Sequence, residues 1–243
     1  MLNAMGLLKQ RRFLPLFTTQ FLGAFNDNLF KQAMVLFATY SIFNDAGTEQ
    51  TFNGIATVLS TLPFILFSAM AGQLADSHDK ARIIRIVKTA EILIMLVGAG
   101  GLMMAKLGHT QIGIVAMLGC VFLLGMHSTF FGPIKYAILP QHLPRDDVLG
   151  ATGLVEAGTY MAILLGTILA GYISVEAAAI GVLLVAGIGW MSGRYVAPAP
   201  REGPPLAINW NPFTASWRLI SATMHIRRLF LAIVAISFFW TIG

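Results

Sequence analysis

Apolar residues in this chain fall into long blocks, near 13–42, 52–74, 83–105, 111–133, 149–173 and 176–193, with a further block opening near Leu229. A helix rising ~1.5 Å per residue needs roughly 20 apolar residues to cross a bilayer, and blocks of this length meet that need. The pattern predicts an all-α polytopic membrane protein. Residues 1–193 are expected to form a six-helix bundle, 194–228 a linker, and 229–243 the start of a seventh helix. The stretch from Leu229 ends at Gly243 inside an apolar run. It is shorter than the ~17–25 residues of a span. A truncated seventh helix is therefore expected.

Connections between blocks are short except for 194–228, which holds Pro198, Pro200, Pro204, Pro205 and Pro212. Six helices, a long linker and a new helix form the layout of transporters built from two six-helix halves. Within the linker, Trp210, Phe213, Trp217, Ile220 and Met224 recur at helical spacing among Arg218, Arg227 and Arg228. Asn211 before Pro212 reads as an N-cap followed by proline at N1. Such a helix either lies in the membrane interface with its aromatic face toward lipid, or packs against the bundle.

Positive charge orients the helices. With the N-terminus inside, Lys9, Arg11, Arg12, Lys80, Arg82, Arg85, Lys88, Lys135, Arg145, Arg194, Arg201, Arg218, Arg227 and Arg228 fall on the cytoplasmic side, fourteen of sixteen. Lys106 falls outside, and Lys31 within the membrane. Lys9, Arg11 and Arg12 precede the first block as in a signal peptide, but that block is too long and too polar for one, so it reads as a retained helix.

Composition agrees: 56% hydrophobic and 11% charged residues, against ~25% charged in a soluble domain. The net charge of +5 is spread between apolar blocks and lacks the stripe with interleaved aromatics of a nucleic-acid binder. Cys120 is the single cysteine and has no intramolecular disulfide partner.

The first block is the anomalous one. Gln20, Asn26, Asp27, Asn28, Lys31 and Gln32 interrupt it, although a charge at the bilayer centre costs at least ~2.5–3.5 kcal/mol on insertion scales. On a helix Gln20, Ala24, Asp27 and Lys31 share one face. Counting ~1.5 Å per residue from Arg12 places Asp27 just past the midplane, where transporter sites tend to lie. A carboxylate there can take Na⁺ or H⁺ and couple transport to an ion gradient; the alternative is a static Asp27–Lys31 pair. Glu156, with Tyr160 one turn on and Lys135 as a partner, is the second acidic candidate, its alternative being a carboxylate that only holds Lys135 or helix packing. Glu91, three residues after Lys88, favours an intrahelical pair near the membrane rim. His127 favours a packing role, and the glycines at 150, 153, 158, 166 and 171 read as close-packing positions.

Gly72-Gln73-Leu74-Ala75-Asp76-Ser77-His78-Asp79-Lys80-Ala81-Arg82 resembles the G-x-L-A-D-r-x-G-r-K signature of the major facilitator superfamily. Gly72, Leu74, Ala75 and Asp76 match, and Lys80 and Arg82 supply the basic tail, while Ser77 and Asp79 depart from the pattern. The expected use is a gating latch, with Gly72 admitting close helix approach and Asp76 meeting a helix N-terminus or arginines. Gln20 to Asn28, Phe131 to Leu139, Gly153 to Gly166 and Ser237-Phe238-Phe239-Trp240 add a resemblance to the bacterial lysophospholipid transporters of that superfamily. The stretch from Asn26 to Lys31 is closer to members fused to an acyltransferase.

That resemblance implies a six-helix N-terminal half of a major facilitator fold in the bacterial inner membrane. It also implies a lysophospholipid substrate moved inward, a coupling ion (Na⁺ or H⁺) and no other cofactor, and an acyltransferase, fused or separate, as partner. Within the same superfamily the alternative is a proton-driven drug or metabolite exporter; from another class, the membrane anchor of a fused acyltransferase. His142 and Asp147 have the H-x4-D spacing of glycerolipid acyltransferases, but in a short loop without a surrounding soluble domain. No metal-ligand spacing, nucleophile elbow or P-loop is present in the sequence.

Overall fold

The computed structural model describes residues 4–201 and 208–242. Pro204, Pro205 and the side chains of Phe239 and Trp240, on which parts of the linker and seventh-helix expectations rest, lie outside the described residues. After a one-turn helix, Ala4–Leu7, six long helices follow: α1 (Leu14–Phe37, extended by a π-helical turn Ala38–Ile42), α2 (Ala46–Ser77), α3 (Lys80–Lys106), α4 (Thr110–Ala137), α5 (Arg145–Tyr172) and α6 (Val175–Arg194). Each predicted block corresponds to one of them. Five are long and apolar enough to cross a membrane. The first, α1, has spanning length at 24 residues and falls short only in apolar character, for the reason that singled it out in the sequence. The protein is a multi-pass membrane protein with an all-α fold.

The ends of the helices follow local chemistry. Asp45, Asp79 and Ser174 cap α2, α3 and α6, their side-chain oxygens accepting backbone N–H bonds from Thr48 at 2.8 Å, Ala81 at 2.9 Å and Ala177 at 3.3 Å. These bonds satisfy donors that the first helical turn leaves free. Asn211 caps α7 (Pro212–Met224) through Phe213 and Thr214, with Pro212 at its first position, as expected. α8 (Arg227–Ile242) then departs at 119° to α7. Only Ala215 of α7 is buried, on the side that meets α2. Trp210, Phe213 and Trp217 are about 70% exposed, so the aromatic stripe is not the face that packs on the bundle.

The neighbour pattern has an internal symmetry. α1 packs on α5 and α6, α4 packs on α2 and α3, and α3 and α6 join the two groups. Exchanging α1–α3 for α4–α6 leaves this pattern unchanged. Because equivalent helices are three apart in an up-down chain they run in opposite directions, which makes the two triplets inverted repeats. Two glycines hold equivalent close approaches: a Cβ on Gly166 of α5 would lie 2.5 Å from the Phe25 carbonyl of α1, and one on Gly125 of α4 would lie 2.4 Å from the Ser60 carbonyl of α2. Gly158 is also tight, against Phe17, whereas a Cβ on Gly153 or Gly171 would meet nothing within 4 Å, and one on Gly150 only an ordinary contact. The close-packing expectation thus holds for two of the five α5 glycines.

Two apolar clusters fill the bundle. One, around Leu16, Ile84, Ile134, Val155 and Val196, lies toward the end where α1 begins, here the N-terminal end. The other, around Phe30, Met95, Met117, Leu124 and Val182, fills the opposite half. Between them the buried residues turn polar: Gln20, Asn26, Asp27, Lys88, Glu91 and His127. This polar layer holds the site.

Candidate functional site

α1 and α4, the first helices of the two triplets, touch each other little and face each other across a cavity of about 370 Å³. α1 contributes Thr19, Gln20, Gly23, Ala24, Asp27, Asn28 and Lys31, and α4 contributes His127, Ser128, Phe131, Gly132 and Lys135. Phe64, Lys88, Thr159 and Ile163 complete the wall from α2, α3 and α5. The face predicted from helical spacing, Gln20, Ala24, Asp27 and Lys31, lines this cavity in full. Lys31 also lines a smaller cavity of about 230 Å³ toward the opposite end, with Asn53, Thr57 and Ser60.

Asp27 is 8% exposed. Its Oδ2 accepts a hydrogen bond from Ser128 Oγ across the cavity at 2.8 Å, and its buried Oδ1 has no partner. Among the described residues it makes no ion pair with Lys31, so the static i,i+4 pair is not the arrangement here. Asn28 folds back onto its own helix, Nδ2 donating to the Ala24 carbonyl at 2.7 Å. The Thr159 hydroxyl stands 2.8 Å from Gln20 Oε1, while Gln20 Nε2 is buried and unpartnered. Lys135 Nζ donates to the same threonine at 3.4 Å and sits 4.8 Å from the centre of the Tyr136 ring. The cavity wall therefore holds a free acceptor on Asp27 and a free donor on Gln20. Buried polar groups without partners are rare in folded proteins and mark where a ligand, ion or water belongs.

Beneath Asp27 lies a second cluster that sequence reasoning did not assemble. Lys88 pairs with Glu91 on α3, as the three-residue spacing suggested. The pair is not at the rim, however: its side chains are 1% and 0% exposed. Asn26 Nδ2 donates to Glu91 Oε1 at 3.2 Å, so Asn26 faces this cluster and does not line the cavity. His127 Nε2 stands 3.2 Å from Glu91 Oε2, and its ring stacks on Phe131. Glycines make room for the lysine: a Cβ on Gly189 of α6 would come within 2.9 Å of Lys88 Nζ, and one on Gly23 of α1 within 3.4 Å. Lys88 and Lys135, counted above as cytoplasmic charges, are cavity residues instead. Twelve of the sixteen basic residues remain on the N-terminal side.

The second acidic candidate is placed differently from the expectation. Glu156 accepts from the Tyr136 hydroxyl, forms no ion pair with Lys135 among the described residues, and does not line the cavity. Tyr160 is 50% exposed and does not line it either. On α5, Thr159 occupies the inward position that the sequence assigned to these two. For Tyr160 the reason is rotational: each residue turns the helix by about 100°, so one step separates its outer position from the lining position of Thr159. Glu156, one turn before Thr159, is instead engaged by Tyr136.

The gating motif is likewise only partly as expected. A Cβ on Gly72 would meet nothing within 4 Å, and Asp76 is exposed with no ion pair among the described residues. Leu74 and Ala75 pack into the N-terminal cluster, Lys80 is buried and Arg82 exposed. The contact that ties this turn down is made by Asp79, where the signature has glycine. Its Oδ1 accepts from Ala199 N at 3.0 Å while capping α3, and Lys80 N donates to the Ala199 carbonyl at 3.0 Å. Arg85 adds a bond to the Val196 carbonyl at 3.2 Å. The start of the linker is thus fastened over the α2–α3 turn. His142 and Asp147 are buried at the junction leading into α5 and are not presented to solvent.

Inverted repeats of membrane-length helices around a polar cavity near the membrane midplane recur in secondary transporters. The profile of the Major Facilitator Superfamily matches residues 16–243, and the chain belongs to that superfamily. It is 28% identical over 240 residues to the lysophospholipid transporter LplT of Klebsiella pneumoniae subsp. pneumoniae, covering 97% of this chain and 56% of that protein. It is 27% identical over 244 residues to LplT of Cronobacter sakazakii, covering 98% and 56%. Against LplT of Salmonella typhimurium it is 30% identical over 161 residues, 66% of this chain and 36% of the relative. The chain spans about half the length of the curated relatives it matches end to end.

Proposed function

We propose that this chain forms the N-terminal half of a secondary transporter that carries lysophospholipid across the bacterial inner membrane toward the cytoplasmic leaflet by alternating access. Its N-terminus lies in the cytoplasm, with the twelve basic residues at the N-terminal end on the positive side. A second six-helix half closes the other side of the cavity, and an acyltransferase, fused or separate, consumes the lipid delivered.

The observation that carries this reading is the lining of the cavity between α1 and α4. Lys88 is compensated by Glu91, which leaves Lys31 and Lys135 as two cationic side chains on a wall whose own carboxylate is Asp27, an excess suited to a phosphate head group. Phe64, Phe131 and Ile163 in the same wall offer the start of an apolar route for a single chain. Asp27, with one oxygen held by Ser128 and the other free, is the site for the coupling Na⁺ or H⁺. The relatives are named for lysophospholipid transport, which favours that substrate over a drug or metabolite.

The test is transport by the full-length protein in vesicles carrying a labelled lysophospholipid on one leaflet. Movement between leaflets that depends on a Na⁺ or H⁺ gradient, and loss of that dependence in Asp27→Asn, is the expected result. Efflux of drugs without lipid movement would overturn the substrate, and normal ion-coupled flipping by Asp27→Asn would remove that residue from the mechanism.

A further inference from the structure

An apolar hollow distinct from the transport cavity lies between α2, α3 and α4. α2 and α3 are joined by a tight turn, yet they lean on α4 more than on each other. The space left between them is a groove of about 460 Å³, within the ~300–1,000 Å³ range of small-molecule sites. Nine of its twelve lining residues are apolar, among them Ile86, Ala90, Ile94, Leu123, Met126 and Phe130. Two of the other three, His78 and Arg82, lie at one end, at the turn and in the first helical turn of α3. Both are exposed, and among the described residues neither forms an ion pair. Of the acidic groups beside them, Asp79 is engaged by Ala81 and Ala199, and Asp76 does not line the groove.

We propose that this groove binds a resident membrane phospholipid, its phosphate at Arg82 and His78 and one acyl chain laid along α3 and α4 toward His127. Two features argue for this occupant. The first is polarity: the Arg82 guanidinium and the His78 ring stand at the membrane-boundary end and apolar side chains run inward, the order of a phospholipid in the leaflet at the N-terminal end. Basic pockets between spanning helices are recognised lipid head-group sites. The second is length. From Arg82 to Ile94 is twelve residues, or ~18 Å of helix, which matches about half of a ~30 Å hydrocarbon core with its boundary. The groove thus spans one leaflet. Its inner end stops at His127, the residue it shares with the transport cavity. A lipid seated there would bridge α2 and α3 beside the fastened turn, whether or not the protein carries lysophospholipid.

The probe is a phosphatidylglycerol bearing a mid-chain diazirine, in phosphatidylethanolamine vesicles with the full-length protein. Cross-linked residues are mapped by peptide mass spectrometry. Labelling at Ile86, Met126 and Phe130 several-fold above that at Leu164 and Ile168, exposed apolar positions on α5, is expected. Arg82→Gln and, independently, Ala90→Phe, which fills the groove, should each bring the groove labelling down to the α5 level while α5 labelling stays constant. Equal labelling at both places, or groove labelling indifferent to both substitutions, would reduce the contact to ordinary surrounding lipid and overturn the proposal. Displacement of the probe by lysophospholipid at equal head-group charge would also overturn it, because the groove would then hold cargo.

Discussion

Removing Glu91 from beneath the cavity should damage the protein more than removing Glu91 and Lys88 together. In Glu91→Leu the Lys88 ammonium keeps its place, 1% exposed and walled by the glycines of α1 and α6, but loses the carboxylate that compensates it. Asn26 loses its acceptor in the same step. Breaking a buried pair by deleting one partner typically costs ~3–5 kcal/mol, whereas replacing both partners by apolar groups of similar volume is often neutral or stabilising. With both side chains fully buried, the single substitution belongs in that range. For a domain of ~150–250 residues 1 kcal/mol moves the melting temperature by ~2–4 °C, so Glu91→Leu should lower it by on the order of 6–20 °C. Lys88→Met/Glu91→Leu, close in volume, should recover most of the loss. The assay is thermal unfolding of the full-length protein in detergent for the parent, both single variants and the double variant. A Glu91→Leu protein as stable as the parent, or a double variant no better than the worse single one, would refute the account of a compensated buried charge.

Other expectations follow from single contacts. Gly166→Val forces a side chain into the Phe25 carbonyl and should cost ~1–3 kcal/mol as overpacking, whereas Gly153→Ala, with open space around it, should be neutral or stabilise by up to ~1 kcal/mol; melting temperatures of the two variants separate these. Asp79→Ala removes the cap of α3 and the bond from Ala199, ~1–2 kcal/mol together, and should speed proteolysis of the linker after Ala199 without abolishing the bundle. Burial holds the His142 imidazole below its usual range, partly opposed by the backbone carbonyls of Pro198, Ala197 and Arg12. The unfolded chain therefore binds this proton more readily, so stability is full above the ordinary imidazole value of ~6.5 and declines as pH falls below it. Melting curves between pH 7.5 and 5.5 should show a fall that is smaller in His142→Gln.

Much of this architecture was readable because membrane helices obey a length rule and a three-to-four-residue repeat. The polar face of α1 was found in that way, since Gln20, Ala24, Asp27 and Lys31 need no distant partner to define it. The cluster beneath it was not. The sequence shows Lys88 and Glu91 as neighbours, but Asn26 lies 65 residues away from Glu91, and nothing local reveals that α3 turns this pair inward. Gly23 and Gly189 make room for the lysine, but they lie on α1 and α6, and the sequence alone does not show that they face it. Tyr160 was misplaced by the same limit: the rotation of α5 is set by its packing on α1, through Gly158 and Gly166, and brings Thr159 to the cavity. Glu156 was misplaced because its partner, Tyr136, lies on α4. The turn at Gly72–Arg82 was identified by its signature, yet its fastening runs through Asp79, the residue that departs from that signature.

The most direct test of the central claim is to block the cavity between α1 and α4. Ala24 lines it, and the native Cys120 is buried, so Ala24→Cys, in a full-length protein cleared of other accessible cysteines, can be labelled selectively with a bulky maleimide. Lysophospholipid movement measured before and after labelling should fall to the level of protein-free vesicles. Lipid movement unchanged after stoichiometric labelling would contradict the claim that this cavity is the route.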